Sequence, residues 1–199
     1  MKYWFTSDYH FGHANIIEYC NRPFKNLEDM NQAIIRNHNA RVNKEDVVFH
    51  IGDFCFKNTN NTRGEGDTYK AAYYEKFLNG KIIHVAGNHD HHNSDENIIH
   101  GISICYGGMD MWLTHEPKNF SDEFQLNLVG HVHQNWKVKR AGDIILLNVG
   151  IDVNRFMPIS IQEILAEYTK AKKNFDKLEE FYDDFDLGAV AAIKGEVKK

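Results

Sequence analysis

The stretch Phe5-Thr-Ser-Asp-Tyr-His-Phe-Gly-His13 carries an aromatic-rich run into a cluster of polar side chains. Residues 2–7 are typical of a short β-strand. Asp8 and His10 follow it two positions apart, so they share one side for as long as the chain stays extended. A strand that ends in a carboxylate and an imidazole predicts a functional loop at its carboxyl end.

The same arrangement recurs along the chain. Four further polar clusters follow strand-like runs: Gly52-Asp53, Gly87-Asn88-His89-Asp90, Thr114-His115 and Gly130-His131-Val132-His133. Strands of one sheet bring the loops at their carboxyl ends to one crevice, so we expect these clusters to be neighbours. Carboxylate, imidazole and amide oxygen together suit divalent transition metals, and the set is large enough for two ions. The spacing leaves open how the ligands divide between them.

Helical spacing of apolar side chains separates the first three strands. We predict helices over residues 14–19, 26–39 and 69–79. On the third helix, Tyr73, Tyr74 and Phe77 are expected on the buried face rather than in a base-stacking platform.

The second half of the chain has a different pattern. Strand candidates are residues 102–106, 109–114, 126–129, 136–140 and 144–149. Turn residues such as Gly107-Gly108 predict mostly antiparallel pairing. Ser160-Ile-Gln-Glu163 is a capping box that opens a final helix, which we expect to run past Lys173. This order predicts an α/β or α+β layered domain.

Length and composition predict one globular domain. The chain has 199 residues, 42% of them hydrophobic, and a formal net charge of −5. We expect the domain to span residues 1–173, with residues 174–199 as a peripheral helical and charged extension. The acidic balance disfavours an extended nucleic-acid surface, and therefore a nuclease. The sequence leaves the oligomeric state open.

The sequence predicts a cytoplasmic protein without a membrane partner. No apolar run approaches the roughly 18–20 residues that cross a bilayer. Asp8 and His10 lie inside the window that a cleaved signal peptide would occupy, so cleavage would destroy the proposed site. Three cysteines without CxxC spacing are expected to be reduced thiols.

The ordered set D-x-H, G-D, G-N-H-D, H and G-H-x-H, over residues 8 to 133, resembles the calcineurin-like metallophosphoesterase superfamily. Phe5-Thr-Ser-Asp-Tyr-His-Phe-Gly-His13, with Asn15-Ile-Ile17 and Arg22-Pro-Phe24 after it, is similar to small single-domain bacterial and phage phosphoesterases. The resemblance implies a four-layer α-β-β-α sandwich with a dinuclear metal centre. Two divalent ions in such a centre polarise phosphoryl oxygens and activate a shared water.

The resemblance also implies a role for each residue. Asp53 bridges the two ions, and His89 stabilises the phosphoryl charge or protonates the leaving oxygen. The remaining ligands are Asp8, His10 and His133 for the first metal and Asn88, His115 and His131 for the second. Imidazole-rich mixed ligation suits manganese, iron, cobalt, nickel or zinc better than magnesium, and we take manganese as the first choice among them.

One departure from the motifs of this superfamily narrows the class of substrate. Protein serine/threonine phosphatases of this superfamily carry G-D-x-x-D-R-G, whereas this chain reads Gly52-Asp-Phe-Cys-Phe-Lys57. The missing Asp and Arg disfavour a phosphoprotein substrate and leave the partner that orients His89 unidentified. Candidate phosphate contacts are Arg22, His13 and Arg63, although their spacing assigns none of them to substrate binding. The loop of residues 57–68 is a candidate flap over the site.

The sequence therefore predicts a metal-dependent phosphoesterase. A phosphodiester in a nucleotide-like or other small substrate is favoured. The alternatives are a phosphomonoesterase on a small substrate and a non-catalytic interaction module that retains the phosphoesterase fold. Outside the five clusters, His50 and His84 are expected to be buried, hydrogen-bonded structural residues.

Overall fold

Three neighbouring parallel strands lead directly into predicted site residues in the computed structural model, which describes residues 1–56, 66–90 and 99–182. They are β1 (Tyr3–Thr6), β2 (Val47–Ile51) and β3 (Lys81–Val85). A short antiparallel strand, β9 (Ile159–Ser160), completes this first sheet in the order β3-β2-β1-β9. The carboxyl ends of β1, β2 and β3 therefore meet at one edge.

The second sheet has the order β4-β5-β6-β8-β7. Its strands are β4 (Gly101–Tyr106), β5 (Met109–Thr114), β6 (Leu126–Val129), β7 (Val138–Ala141) and β8 (Ile144–Asn148). The predicted mostly antiparallel pairing is wrong. Only the outer hairpins are antiparallel, because the connections after β5 and β6 return the chain so that β5, β6 and β8 run parallel.

Four α-helices accompany the sheets in the described part of the chain: α1 (Ile16–Tyr19), α2 (Leu27–Arg41), α3 (Ala71–Glu75) and α4 (Ile161–Lys173). Asn26 caps α2, since its side chain accepts a hydrogen bond from the Asp29 amide. The predicted capping box of Ser160 and Glu163 opens α4. The last helix ends at Lys173, so the predicted continuation past this residue is wrong.

The helix predicted over residues 69–79 contains only the five residues of α3. Tyr74 is buried, where it stacks on Phe11, but Tyr73 and Phe77 are exposed. The prediction that all three aromatic side chains face the core is therefore wrong. A single helical turn buries one side chain of this set, and the chain turns away before Phe77.

The main core lies between the two sheets. Phe5 from the first sheet and Leu113, Leu128 and Leu147 from the second are almost completely buried there. On the opposite face of the first sheet, Met30 and other apolar residues of α2 pack against the chain that follows β1 and β2. Burial on both faces explains why the strands read as continuous apolar runs. The predicted α/β class with two sheets is confirmed.

Residues 174–182 pack back onto the second sheet. Phe181 is buried against Trp136, and its amide donates to the Arg140 carbonyl at 2.7 Å. This part of the predicted peripheral extension therefore contributes to the fold. The rest of that extension lies outside the described residues, as does most of the predicted flap with Arg63. No helix in the described ranges is long and apolar enough to span a membrane.

Candidate metal centre

The site forms where the carboxyl ends of parallel strands from both sheets meet. Asp8 follows β1, Asp53 follows β2, and His131 follows β6 by two residues. The His131 amide donates to both carboxylate oxygens of Asp8 at 3.1 Å, which joins the two sheets at this edge. The five separate sequence clusters meet in one largely buried site.

The first ligand group consists of Asp8, His10 and His133. Each residue offers one ligand atom, and these atoms lie within 4.8 Å of one another. All three residues are buried. The Ser7 hydroxyl donates to Asp8 Oδ2 at 2.5 Å, whereas His10 Nε2 is buried without a hydrogen-bond partner among the residues that the structure describes. A buried ring nitrogen without a partner is unfavourable unless a ligand occupies that position.

The second ligand group consists of Asp53, His115 and His131 and meets the same 4.8 Å criterion. Asn88 adds its side-chain oxygen, which lies 3.2 Å from His115 Nε2 and 2.9 Å from His131 Nδ1. His115 Nδ1 donates to the Ile51 carbonyl at 2.8 Å. Because a carbonyl only accepts, this bond orients the ring with Nε2 toward Asp53.

Gly52 permits this close approach of His115. Its φ angle is +83°, and a Cβ atom at this position would lie 2.3 Å from His115 Nδ1. Glycine is therefore required both by the backbone conformation and by the space that the imidazole occupies.

Asp53 lies between the two groups. Its Oδ2 atom is 3.5 Å from His10 Nε2 and 3.3 Å from His115 Nε2. One carboxylate therefore contacts a histidine of each group, as the predicted bridging role requires.

The electrostatics of the site favour a cation. Burial alone raises the pKa of Asp53, but His115, His89 and His10 together lower it well below its ordinary value. For His115, burial lowers the pKa, but the charge of Asp53 outweighs it and raises the pKa to about 10. The ionised carboxylate thus stabilises positive charge on its neighbour. Buried carboxylates, an amide oxygen and imidazoles form a donor set that fits divalent transition-metal ions.

His89 lies at the rim of the site. Its backbone amide donates to Asp53 Oδ1 at 3.0 Å. Its side chain is 30% exposed, with Nε2 4.0 Å from Asp53 Oδ2. The ring is close enough to the two groups to reach a molecule bound there, and it is open to solvent on its other side.

Asp90 has a structural role that the sequence reasoning missed. Its carboxylate accepts hydrogen bonds from the backbone amides of Asp53 and Gly87, both at 2.8 Å, and from Phe54 at 3.1 Å. It thereby holds the loop after β3 against the loop after β2. The G-N-H-D motif contained the signal, but its last residue received no role.

Arg22 lies in a different environment from the one we expected of a phosphate contact. It is buried, and its guanidinium forms an ion pair with Asp152. Asp152 in turn contacts His133. The sequence reasoning missed Asp152 because no local motif connects these three residues.

Asn148 supports the second histidine of the G-H-x-H motif. Its side-chain amide donates to the carbonyls of His133 and Trp136 at 2.9 and 2.8 Å. The Gly150 amide donates to its side-chain oxygen at 2.7 Å. Asn148 therefore fixes the loop after β6 without entering either ligand group.

Three further histidines lie near the site or behind it. His13, a candidate phosphate contact, is buried with its ring stacked on Phe56 and Nδ1 3.2 Å from His10 Nδ1. His50 is buried as predicted, but neither ring nitrogen has a hydrogen-bond partner in the described part of the chain. The expectation that His84 is buried is wrong, since its side chain is 37% exposed and lies 3.0 Å from Glu75 Oε1. The register that pairs His84 with His50 places it on the outermost strand of the first sheet.

The chain is similar to known proteins over most of its length. A family model described as calcineurin-like phosphoesterase matches residues 1–170. An uncharacterised protein of Methanocaldococcus jannaschii is 33% identical over 183 residues, which covers 86% of this chain and 93% of that protein. The crystal structure of a protein of unknown function from Aquifex aeolicus shares 26% sequence identity with a TM-score of 0.61, covering 82% of this chain and 97% of that one.

Proposed function

Because this chain belongs to the calcineurin-like phosphoesterase family, we propose that it is a hydrolase that cleaves a phosphodiester in a small, nucleotide-like substrate at a dinuclear metal centre. The position of Asp53 is the observation that supports this most directly. Its Oδ2 atom lies within 3.5 Å of a histidine nitrogen from each ligand group. A carboxylate in this position is able to bind two ions at once.

The two groups supply a complete ligand set for two ions. Asp53 is shared, and the remaining ligands are Asp8, His10 and His133 for one ion and Asn88, His115 and His131 for the other. Two divalent ions in such a centre polarise the phosphoryl oxygens and lower the pKa of a bound water. Manganese is the first choice of metal, and iron, zinc, cobalt and nickel are the alternatives.

His89 is the candidate catalytic residue. The bond from its backbone amide to Asp53 fixes the loop, while its side chain remains partly exposed at the rim. From there the imidazole donates a proton to the leaving oxygen, or a hydrogen bond to the phosphoryl group. The ring of Phe56 lies next to His89 and stacks on His13, so His13 and Phe56 form the wall of the site beside His89.

The environment of Arg22 favours a diester over a monoester. A monoester dianion carries more negative charge than a diester, so its binding profits more from an arginine at the phosphate. Arg22 was the candidate for such a contact in the described part of the chain, but it is bound to Asp152. The less charged diester therefore suits the described site better.

The test compares the wild type with Asp53→Asn after metal removal and reconstitution with Mn²⁺. Bis(p-nitrophenyl) phosphate and the p-nitrophenyl monoester are assayed in parallel, and metal is counted in the same samples. We expect the wild type to bind two ions and turn over the diester. Asp53→Asn should reduce kcat/KM at least about 100-fold, because it weakens a ligand of both ions. The matched control is Asp143→Asn, at an exposed carboxylate between β7 and β8, which should retain full activity.

The other outcomes separate the alternatives. Preference for the monoester would overturn the diester assignment, but the assignment as a hydrolase would stand. Wild-type protein without bound metal and without turnover of either ester would overturn the enzyme assignment in favour of an interaction module.

A further inference from the structure

A buried ion pair connects the loop after α1 to the loop after β8. Arg22 Nε lies 2.8 Å from Asp152 Oδ1, and Arg22 Nη2 lies 2.9 Å from Asp152 Oδ2. The two side chains are 0% and 3% exposed. The planar guanidinium therefore contacts both oxygens of the carboxylate, which is the most specific geometry that this pair of groups can adopt.

The same carboxylate contacts a member of the first ligand group. His133 Nδ1 lies 2.9 Å from Asp152 Oδ2. An ionised carboxylate only accepts hydrogen bonds, so Nδ1 carries a hydrogen, and when the ring is neutral Nε2 carries the lone pair that a metal ion requires. Hydrogen bonds of this kind fix the tautomer and the orientation of histidines that bind metals.

Arg22 also binds the backbone at Asp8 and Tyr9, shortly after β1. Its Nη2 donates to the Asp8 carbonyl at 2.7 Å, and its Nη1 donates to the Tyr9 carbonyl at 3.1 Å. Asp8 has a φ angle of 60°, a conformation that is costly without such support. One guanidinium thus connects the Asp8 backbone to the carboxylate that orients His133.

We propose that Asp152, held in place by Arg22, is a positioning residue that sets the tautomer and orientation of His133 and so determines the affinity of the first ion. This inference rests on the proposed dinuclear function. It also assigns Arg22 to the architecture of the site rather than to substrate.

The test is a metal titration of the apo protein with Co²⁺, followed by its visible absorption. Wild type is expected to bind two ions. Asp152→Ala should retain one ion at the original affinity and bind the other about 10–100-fold more weakly. Asp152→Asn keeps an oxygen acceptor for His133, so it should weaken the binding of that ion less than Asp152→Ala does.

A matched control separates positioning from a general loss of stability. Ile164→Ala removes a fully buried side chain of α4 from the core. It should lower the melting temperature while both ions bind with unchanged affinity. Long-range ¹H–¹⁵N spectra of labelled histidine give an independent measurement. At a pH where the ring is neutral, they should show His133 as the Nδ1–H tautomer in wild type and as a mixture in Asp152→Ala.

Two results have different consequences. Wild type that binds two ions, together with folded Asp152 variants that bind both as tightly and keep the tautomer, would overturn the positioning role alone. Wild type that binds fewer than two ions would instead contradict the proposed function.

Discussion

Single residues carry much of the conformational cost of this site. Backbone φ angles are positive at Asp8 (60°), His10 (53°), Asp53 (57°), His131 (71°) and His133 (46°), all of them predicted ligands. Each such residue costs roughly 1–3 kcal/mol. The total is of the same order as the stability of a whole domain. Hydrogen bonds such as those of Asp90 and Arg22 offset part of this cost, and bound ions would offset more.

The residues of the site could be predicted from the sequence, but the residues that hold them in place could not. Asp8, His10 and Asp53 belong to local motifs, and the structure brings them together as the strand ends implied. Asp90 and Asp152 act through contacts across the fold, which no local pattern reveals. The assignment of the gathered residues as metal ligands stays a prediction.

We expect the stability of the protein to depend on pH through His38. His38 is buried between the Tyr9 hydroxyl and the Asn79 carbonyl. Burial lowers the pKa of His38 to about 4, against the opposing effect of the hydrogen bond to Asn79. The unfolded chain takes up a proton below about pH 6.5, whereas folded His38 stays neutral down to about pH 4. His38 therefore costs stability progressively as the pH falls from 6.5 to 4.

The measurement is urea unfolding of the apo protein at several pH values, with His38→Gln beside the wild type. The stability difference between them should shrink by up to about 3 kcal/mol between pH 7 and pH 4. His100→Gln, at an exposed histidine, serves as the control and should follow the wild-type curve. Parallel curves for wild type and His38→Gln would show that His38 does not titrate as described.

At the scale of elements, the strands were more predictable than their pairing. β5 and β6 match the predicted ranges because alternation and turn residues are local signals. The direction in which strands pair depends on connections across the sheet, so the parallel arrangement of β5, β6 and β8 was missed. The length of α3 was also overestimated, because its aromatic spacing continues beyond the single turn that packs on Phe11.

We expect Asp46, at the amino-terminal end of β2 and opposite the metal centre, to stabilise the fold. Asp46 accepts hydrogen bonds from Lys2 N at 2.7 Å and from Trp4 Nε1 and Asn43 N, both at 3.0 Å. Although burial raises its pKa, these hydrogen bonds lower the pKa of Asp46 to about 2. The stabilisation is therefore complete above about pH 4 and is lost as the pH falls toward 2.

Asp46→Asn should lower the unfolding free energy by about 1–3 kcal/mol at pH 7 and by less at pH 3. Denaturant unfolding of the apo protein at both pH values measures this difference. Asp122→Asn, at an exposed carboxylate, should have little effect at either pH. The metal content of Asp46→Asn should equal that of wild type. A loss of metal would show that the hydrogen bonds of Asp46 also support the metal centre.

At the scale of the whole molecule, the site depends on how two sheets meet. The candidate ligands that follow β1, β2 and β3 contact those that follow β5 and β6 only because the carboxyl edges of both sheets coincide, as the bond from His131 to Asp8 shows. The family resemblance predicted this arrangement, whereas hydrophobic patterns alone predicted only a layered domain. The described part of the carboxyl-terminal extension packs on the second sheet, which composition did not indicate.

Electron paramagnetic resonance of the Mn²⁺-reconstituted protein can show whether Asp53 joins two ion sites. Two Mn²⁺ ions that share a bridging ligand are magnetically coupled, so their spectrum differs from that of isolated ions. We predict a coupled spectrum with two ions per wild-type chain, and weakening or loss of the coupling in Asp53→Asn. A wild-type spectrum that contains only isolated Mn²⁺ would show that Asp53 does not join two ion sites.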